Sequence, residues 1–293
     1  FITVACALLY WAAGMTLFDA ICHSFSTVST GGFSTHDASM AYWDSAAIDW
    51  VGTVFILIGG VNFALHFAVW RGRSLVAYVR DPEFRFFMGL MLLYIALVGA
   101  GLMLFHIHEP VDQALRHAAF QVASFGTGTG LTSTNAAAWP GYIPYLLVFI
   151  SFIGGCAGST GGGMKAVRAA LVFQHSIREL RRLIYPNGVF ALRFGKHVVN
   201  DRVLQAVWGF MGVYITLSVI FTLLFTMTGM DLTTAVSAVA ASINNLGVGI
   251  GQVGGGFANI TDEAKWMMTL LMLLGRLEIF TFLVLFTPLF WRQ

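Results

Sequence analysis

The feature that most constrains this chain is a series of long apolar runs. A helix rising about 1.5 Å per residue needs roughly 20 predominantly apolar residues to cross a bilayer core. Five runs of that kind occur, near 49–70, 84–107, 141–163, 204–228 and 266–291, with a shorter opening run over 1–14. Inside lipid every backbone amide must find an internal partner, so these runs dictate helices. Charged residues make up 10% of the sequence and hydrophobic ones 57%, against roughly a quarter charged in soluble domains. An ordinary soluble globule is excluded, and the fold class expected is an all-α membrane protein. The opening run starts at Phe1 without the basic start or small-residue cleavage site of a signal peptide, and it reads as a helix already under way.

The basic residues set the orientation, because short cytoplasmic loops retain Lys and Arg. Arg71, Arg73, Arg80 and Arg85 form one cluster. Lys165, Arg168, Arg178, Arg181, Arg182, Arg193, Lys196 and Arg202 fill a second stretch, and Arg292 follows the last run. The segments on the opposite face, 15–48, 108–140 and 229–265, hold only Arg116 and Lys265. Each of these three segments follows one plan, a short amphipathic helix and then a polar, glycine-bearing turn without proline. The helices are predicted over 17–28, 112–124 and 231–243, too short to span. The turns read Ser29-Thr30-Gly31-Gly32-Phe33-Ser34-Thr35, Thr127-Gly128-Thr129-Gly130-Leu131-Thr132-Ser133 and Asn244-Asn245-Leu246-Gly247-Val248-Gly249.

Irregular backbone at membrane depth is tolerated only where protein buries it or where it lines a watery cavity. Glycine lets successive carbonyls converge, and a ring of carbonyls can replace a cation's hydration shell. Helices ending at the turns add their negative dipole ends, and Thr30, Thr127, Thr129, Asn244 and Asn245 add polar groups. No turn carries an acidic residue, which favours a weakly hydrated monovalent cation, potassium, over calcium. The alternative is that the glycines only permit close helix packing; their recurrence at equivalent places in three repeats argues against it.

With these residues in view the chain resembles the Trk, Ktr and plant high-affinity potassium transporter superfamily, most closely its bacterial Trk branch. The resemblance covers essentially the whole chain and rests on Ser29-Thr30-Gly31-Gly32-Phe33-Ser34-Thr35-His36-Asp37, Gly158-Ser159-Thr160-Gly161-Gly162-Gly163-Met164-Lys165, Asn244-Asn245-Leu246-Gly247 and Leu274-Gly275-Arg276-Leu277-Glu278-Ile279-Phe280. It implies four units of membrane helix, pore helix, filter loop and membrane helix, with one filter glycine in each. Three are found: residues 1–83 as the second unit with its first helix truncated, 84–201 as the third, with an intramembrane loop over 154–164, and 202–293 as the fourth. The first unit is expected upstream. Gly32, Gly130 and Gly247 match the filter glycines by position, and Gly128 fits the spacing as well as Gly130. The filter residues expected to hold potassium, the only metal expected, are Thr30, Gly31, Gly32, Thr127, Gly128, Thr129, Gly130, Asn245, Leu246 and Gly247. The resemblance also implies a homodimer and a cytoplasmic nucleotide-binding regulatory subunit, for which the basic stretch from Arg168 to Arg202, most simply a positive-inside loop, is a docking surface in its secondary reading; the basic loops fit a bacterial inner membrane, and no cofactor and no nucleic acid are expected.

Six glycines between Gly154 and Gly163 rule out a comfortable helix there. The stretch is not a phosphate loop, since Met164 separates the glycines from Lys165 and neither a strand before nor a Ser or Thr after it is present. Nor is it a nucleophile elbow, because Ala157 stands where a glycine is required. It reads as a hinge, and the resemblance makes Gly158, Ser159, Thr160, Gly161, Gly162, Gly163 and Lys165 a gate beneath the filter; a fixed kink is the alternative. Arg276 and Glu278 are expected about halfway along the last helix. Two apart, they point to different faces and need partners elsewhere, either as a structural ion pair or as fixed charges that tune ion passage.

Cys6, Cys22 and Cys156 lack metal-site spacing. His23, His36, His66, His106, His108, His117, His175 and His197 form no close triad and read as packing or interfacial residues. Asn62 and His66, four apart, are expected on the cavity face of their helix. No nucleophile with its base is visible, so an enzyme is not expected. The expected function is potassium uptake through a carbonyl-lined filter. The alternative is a proton- or sodium-coupled potassium symporter, although repeats in such transporters are usually inverted whereas these share one orientation.

Overall fold

The computed structural model of the protein describes residues 1–107, 110–195, 197–288 and 290–292. Of the residues singled out above, His108 and Lys196 lie outside the described residues. The helices fall into three successive groups. The first holds α1 (Ile2–Ala12), α2 (Leu17–Val28), α3 (Ala46–Gly60), α4 (Phe63–Gly72) and α5 (Val76–Arg80). The second holds α6 (Pro82–Leu104), α7 (Val111–Thr127), α8 (Ile143–Ser151) and α9 (Ala166–Ile184). After a hairpin of β1 (Arg193–Phe194) and β2 (His197–Val198), the third holds α10 (Asp201–Met227), α11 (Leu232–Ile243), α12 (Asp262–Arg276) and α13 (Ile279–Val284). The fold is all-α apart from that hairpin, which nothing in the sequence pattern announced.

Local chemistry places the helix starts. Thr16 accepts the Asp19 amide, Asp81 that of Phe84, Asp231 that of Thr234 and Thr261 that of Ala264, each side chain satisfying an amide that the first turn leaves free. Pro82 fits the opening of α6 because its missing N–H is not needed there. Each group then builds its own apolar core, around Tyr10 and Ile56, Phe87 and Leu147, and Phe225 and Leu271. Alanines fill the buried sides of α7 and α11, Ala118, Ala119 and Ala123 on one and Ala235, Ala238 and Ala241 on the other, which lets neighbouring helices approach closely.

Among the described residues, only α6 and α10 are single helices long and apolar enough to cross a membrane. The run over 49–70 is not one straight helix: α3 and α4 pass the length and apolarity test together but meet at 97°. The cause is at the break, where the Gly59 and Gly60 carbonyls accept the Thr160 and Cys156 amides instead of amides of their own helix. Asn62 restarts the helix by capping the Ala64 amide. The run over 141–163 contains only the short α8 before irregular chain, as the glycines require. The last run breaks between α12 and α13, so Arg276 ends one helix and Glu278, at φ +54°, precedes the next. They do not sit mid-helix. The second long apolar run in each group therefore breaks at a corresponding place.

Candidate functional site: three helix ends and a glycine loop

α2, α7 and α11 end alike. The Gly31 amide reaches back to the Ser26 carbonyl at 2.7 Å, the Thr129 amide to Ser124 at 2.8 Å and the Leu246 amide to Ala241 at 2.9 Å. The preceding amides, those of Thr30, Gly128 and Asn245, bond the Thr27, Phe125 and Ser242 carbonyls. This is the Schellman closure, which needs a left-handed residue just past the helix; Thr30, Gly128 and Asn245 supply it at φ +51°, +74° and +54°. Two residues on, the chain turns left-handed again at Gly32, Gly130 and Gly247, at φ +75°, +85° and +78°. The three turns are thus counterparts, offset by 98 and 215 residues. Gly130, not Gly128, takes the place of Gly32 and Gly247. The expected end of the middle helix at Ser124 falls short, since α7 continues to Thr127.

The turns meet edge to edge. A Cβ added to Gly32 would land on the Thr129 carbonyl oxygen, and one added to Gly130 would land on that of Leu246. Gly247 has nothing within 4 Å at the same point. The described residues thus surround the shared axis on three sides in cyclic order and leave one flank open.

Directly against the helix ends lies the glycine loop between α8 and α9. The Thr160 hydroxyl donates to the Val28 carbonyl at 3.2 Å, and a Cβ on Gly162 would land on the Asn244 carbonyl. Gly161 makes the same close approach to the Thr127 carbonyl, so the loop touches the C-terminal end of all three short helices. It is fastened to the α3–α4 break by the two amides noted above and by Phe63 N–H to the Gly158 carbonyl at 3.1 Å, and to α6 by the Ala157 amide on Glu83 Oε1 at 2.6 Å. Ser159 faces the same cavity as Lys165.

That cavity, about 390 Å³, lies on the other side of the loop. Lys165 Nζ donates to the Gly161 carbonyl, Arg168 pairs with Glu278 at 3.1 Å and lies 4.1 Å from the centre of the Phe210 ring, and Arg276 lines the wall without an ion pair among the described residues. Glu278 is thus paired with Arg168 and not with Arg276. The cavity carries three cationic side chains against one carboxylate.

Two contributors, Tyr214 and Glu83, escaped the sequence reading, and Asn244, expected to add a polar group to its turn, instead has its side chain buried between helices. Asn244 braces three helices: Tyr214 donates to its Oδ1 and its Nδ2 donates to Ser151 Oγ at 3.2 Å. Glu83 is buried beneath the loop. A lone Tyr or Glu in or beside an apolar run is the only signal either gives. Asn62 and His66 do not share a cavity face; Asn62 abuts Gly158, and His66 is used up by Tyr78 Oη at 2.7 Å and the Ile58 carbonyl at 2.9 Å. Three or more metal-ligating side chains do not come together anywhere among the described residues. On the face bearing the helix starts, the Thr16 and Thr35 hydroxyls hold the Asp19 carboxyl below the usual range, and Thr234, by hydroxyl and amide, does the same for Asp231.

The cation transport protein family designated TrkH matches residues 1–292. The chain belongs to that family. It is 48% identical over 292 residues to the Trk system potassium uptake protein TrkH of Salmonella typhimurium, covering 100% of this chain and 60% of that protein. It is 38% identical over 291 residues to the Trk system potassium uptake protein TrkG of Escherichia coli, covering 99% of this chain and 60% of that one. The crystal structure of the potassium transporter TrkH from Vibrio parahaemolyticus superposes with a TM-score of 0.94 at 49% identity, covering 99% of this chain and 63% of that chain. The chain thus spans about 60% of the length of these relatives.

Proposed function

We propose that the three turns are walls of a potassium-selective filter and that the glycine loop beneath them is its gate. The observation that carries this reading is the repetition of one backbone geometry at three helix ends, the first wall abutting the second through Gly32 and the second the third through Gly130. Helix ends facing a common axis present partial negative charge to a cation, and dehydration of potassium by carbonyls needs no carboxylate. Thr30, Gly31 and Gly32, with Thr127 to Gly130 and Asn245 to Gly247, are the residues assigned to the ion. The names of the relatives, potassium uptake proteins and a potassium transporter, support the choice of ion.

A pathway needs a fourth wall, supplied by a unit equivalent to 1–83, 84–201 and 202–293. The open flank beside Gly247 supports this. So does α2, whose Phe18, Ile21 and Phe25 are 69%, 42% and 64% exposed, whereas the counterparts of the last two on α7, Ala119 and Ala123, are buried. The gate is Gly158 to Gly163 with Lys165, which lies against the carbonyl ends from below; the positive cavity formed with Arg276 opposes cations while the loop holds this position. Opening is assigned to a cytoplasmic nucleotide-binding subunit acting on the basic segment that follows, in a homodimer in the bacterial inner membrane. Transport is passive. Full-length protein in liposomes carrying a potassium gradient, without sodium or proton gradients, is expected to pass potassium down that gradient; uptake that requires an opposed proton or sodium gradient would establish the symporter instead.

A further inference from the structure

Beyond the turns, the chain rises away from each helix end, and a side chain near the start of each short helix reaches across to hold it. The registers match. Asp19, His117 and Thr234 are counterparts under the 98- and 215-residue offsets, and so are Thr35, Ser133 and Ile250. In the first group the Thr35 hydroxyl donates to Asp19 Oδ1 at 2.6 Å. In the second, His117 Nδ1 lies 3.1 Å from Ser133 Oγ. Arg116 lies 3.1 Å from the other imidazole nitrogen, Nε2; a guanidinium can only donate, so Nε2 accepts and Nδ1 carries the proton given to Ser133. Arg116 is itself held by Asp44 at 3.3 Å and Asp49 at 3.4 Å.

The third group has no hydroxyl to offer, since Gly249, Ile250 and Gly251 follow its turn. Its short helix carries the acceptors instead. Thr234 Oγ1 receives the Gln252 amide at 3.1 Å, and Ser237 Oγ receives the Ile250 amide at 2.6 Å. A second rung repeats in the first two groups, where the counterparts His23 and Gln121 bond Ser34 Oγ at 2.9 Å and the Thr134 carbonyl at 2.8 Å. Asp19, His117, Thr234 and Ser237 are all buried, where an unmade hydrogen bond is costly. Chemically different groups at one helix position, Asp19, His117 and Thr234, thus hold the limb, Thr234 at Gln252, two residues beyond the counterpart of Thr35 and Ser133. Chemistry that varies while placement is kept points to a mechanical role.

We propose that Asp19, His117 and Thr234 are positioning residues for ion selectivity: struts that fix how far each rising limb stands from its helix and so fix the width of the turn below it. The inference rests on the filter reading above and deepens it. A filter discriminates between ions of similar charge only while its oxygens resist collapsing onto the smaller one, and a limb freed from its strut lets them move. The strut residues do not touch the ion; they act through Thr35, Ser133 and the amides of Ile250 and Gln252.

The test uses Thr35→Val and Ser133→Ala in the full-length protein, both of which remove a hydroxyl with little change of shape, with potassium and sodium flux measured separately in liposomes. The expected result is a fall of about fivefold to tenfold in the potassium-to-sodium permeability ratio, the scale of one lost hydrogen bond, largely through increased sodium flux, with Ser133→Thr restoring the ratio. An unchanged ratio, or potassium and sodium fluxes that fall together, would overturn the struts. Gly130→Ala run in parallel separates the two levels. If it changes the ratio while the hydroxyl variants do not, the struts fail alone; if it too leaves the ratio unchanged, the filter reading fails and the struts with it.

Discussion

The three turns and the three helix breaks are both repeated features, yet they have diverged in opposite ways. At the turns the backbone is held constant while side chains vary: Thr30, Gly128 and Asn245 adopt one left-handed conformation, and Gly32, Gly130 and Gly247 another. At the breaks the position is held constant while the backbone varies. α3 and α4 are separated by two residues, as are α12 and α13, whereas α8 and α9 are separated by the long glycine loop. A geometry that must match across several walls tolerates no local elaboration. A break that needs only to interrupt a helix can be lengthened in one repeat without disturbing the others, and that repeat is where a moving part can be added.

The largest effect expected from this contrast is at the loop. Deleting Gly161, Gly162 and Gly163 removes the contacts with the Thr127 and Asn244 carbonyls and should raise basal potassium flux in liposomes, without any partner, by about an order of magnitude or more; unchanged basal flux would mean a fixed kink. Next in size is Asn244→Ala, which strands Tyr214 and Ser151 among buried apolar groups. It should lower thermal stability by about 1–3 kcal/mol, read as a shift in melting temperature in detergent, with little shift placing the brace outside the fold's stability. Arg276→Ala should raise potassium conductance about twofold to fivefold by removing the unpaired cation from the cavity wall, whereas a misfolded protein with unaltered unitary conductance would assign Arg276 to packing. The smallest effect concerns pH. Because the folded state holds Asp19 and Asp231 below their usual range, the stability they contribute is present above the unfolded carboxylate pKa of about 4 and is lost as pH falls through the folded values. Asp19→Asn with Asp231→Asn should flatten that acid limb of a melting-temperature profile and leave the neutral region's slope unchanged.

Much of this architecture was legible in the residues. The repeat, the ends of α2 and α11 and the irregular stretch over 154–163 follow from hydropathy, capping residues and glycine density, all of them local signals. What escaped was set between segments. The bend between α3 and α4 arises because loop amides 96 or more residues away take the Gly59 and Gly60 carbonyls, and no pattern within 49–70 announces it. Arg276 and Glu278 were expected on a continuous helix because their neighbours are apolar, but Glu278 turns left-handed and meets Arg168 from α9. The choice between Gly128 and Gly130 was open for the same reason, since spacing alone accepts both and only the hydrogen bonds across the helix end separate them.

That choice also gives the sharpest test. The counterparts of Gly128 are Thr30 and Asn245, whose side chains the conformation accepts, whereas Gly130 and its counterpart Gly32 are packed against a neighbouring carbonyl and the third glycine, Gly247, faces the open flank. Potassium and sodium flux through full-length Gly128→Asn and Gly130→Asn protein in liposomes should therefore differ. Gly128→Asn places a Cβ 3.2 Å from the Asn244 carbonyl oxygen and 3.3 Å from the Gly162 amide nitrogen, so the account predicts that total flux changes through the loop while the potassium-to-sodium ratio stays within about threefold of the unsubstituted protein, whereas Gly130→Asn loses selectivity. Selective flux that survives Gly130→Asn and disappears in Gly128→Asn would contradict it.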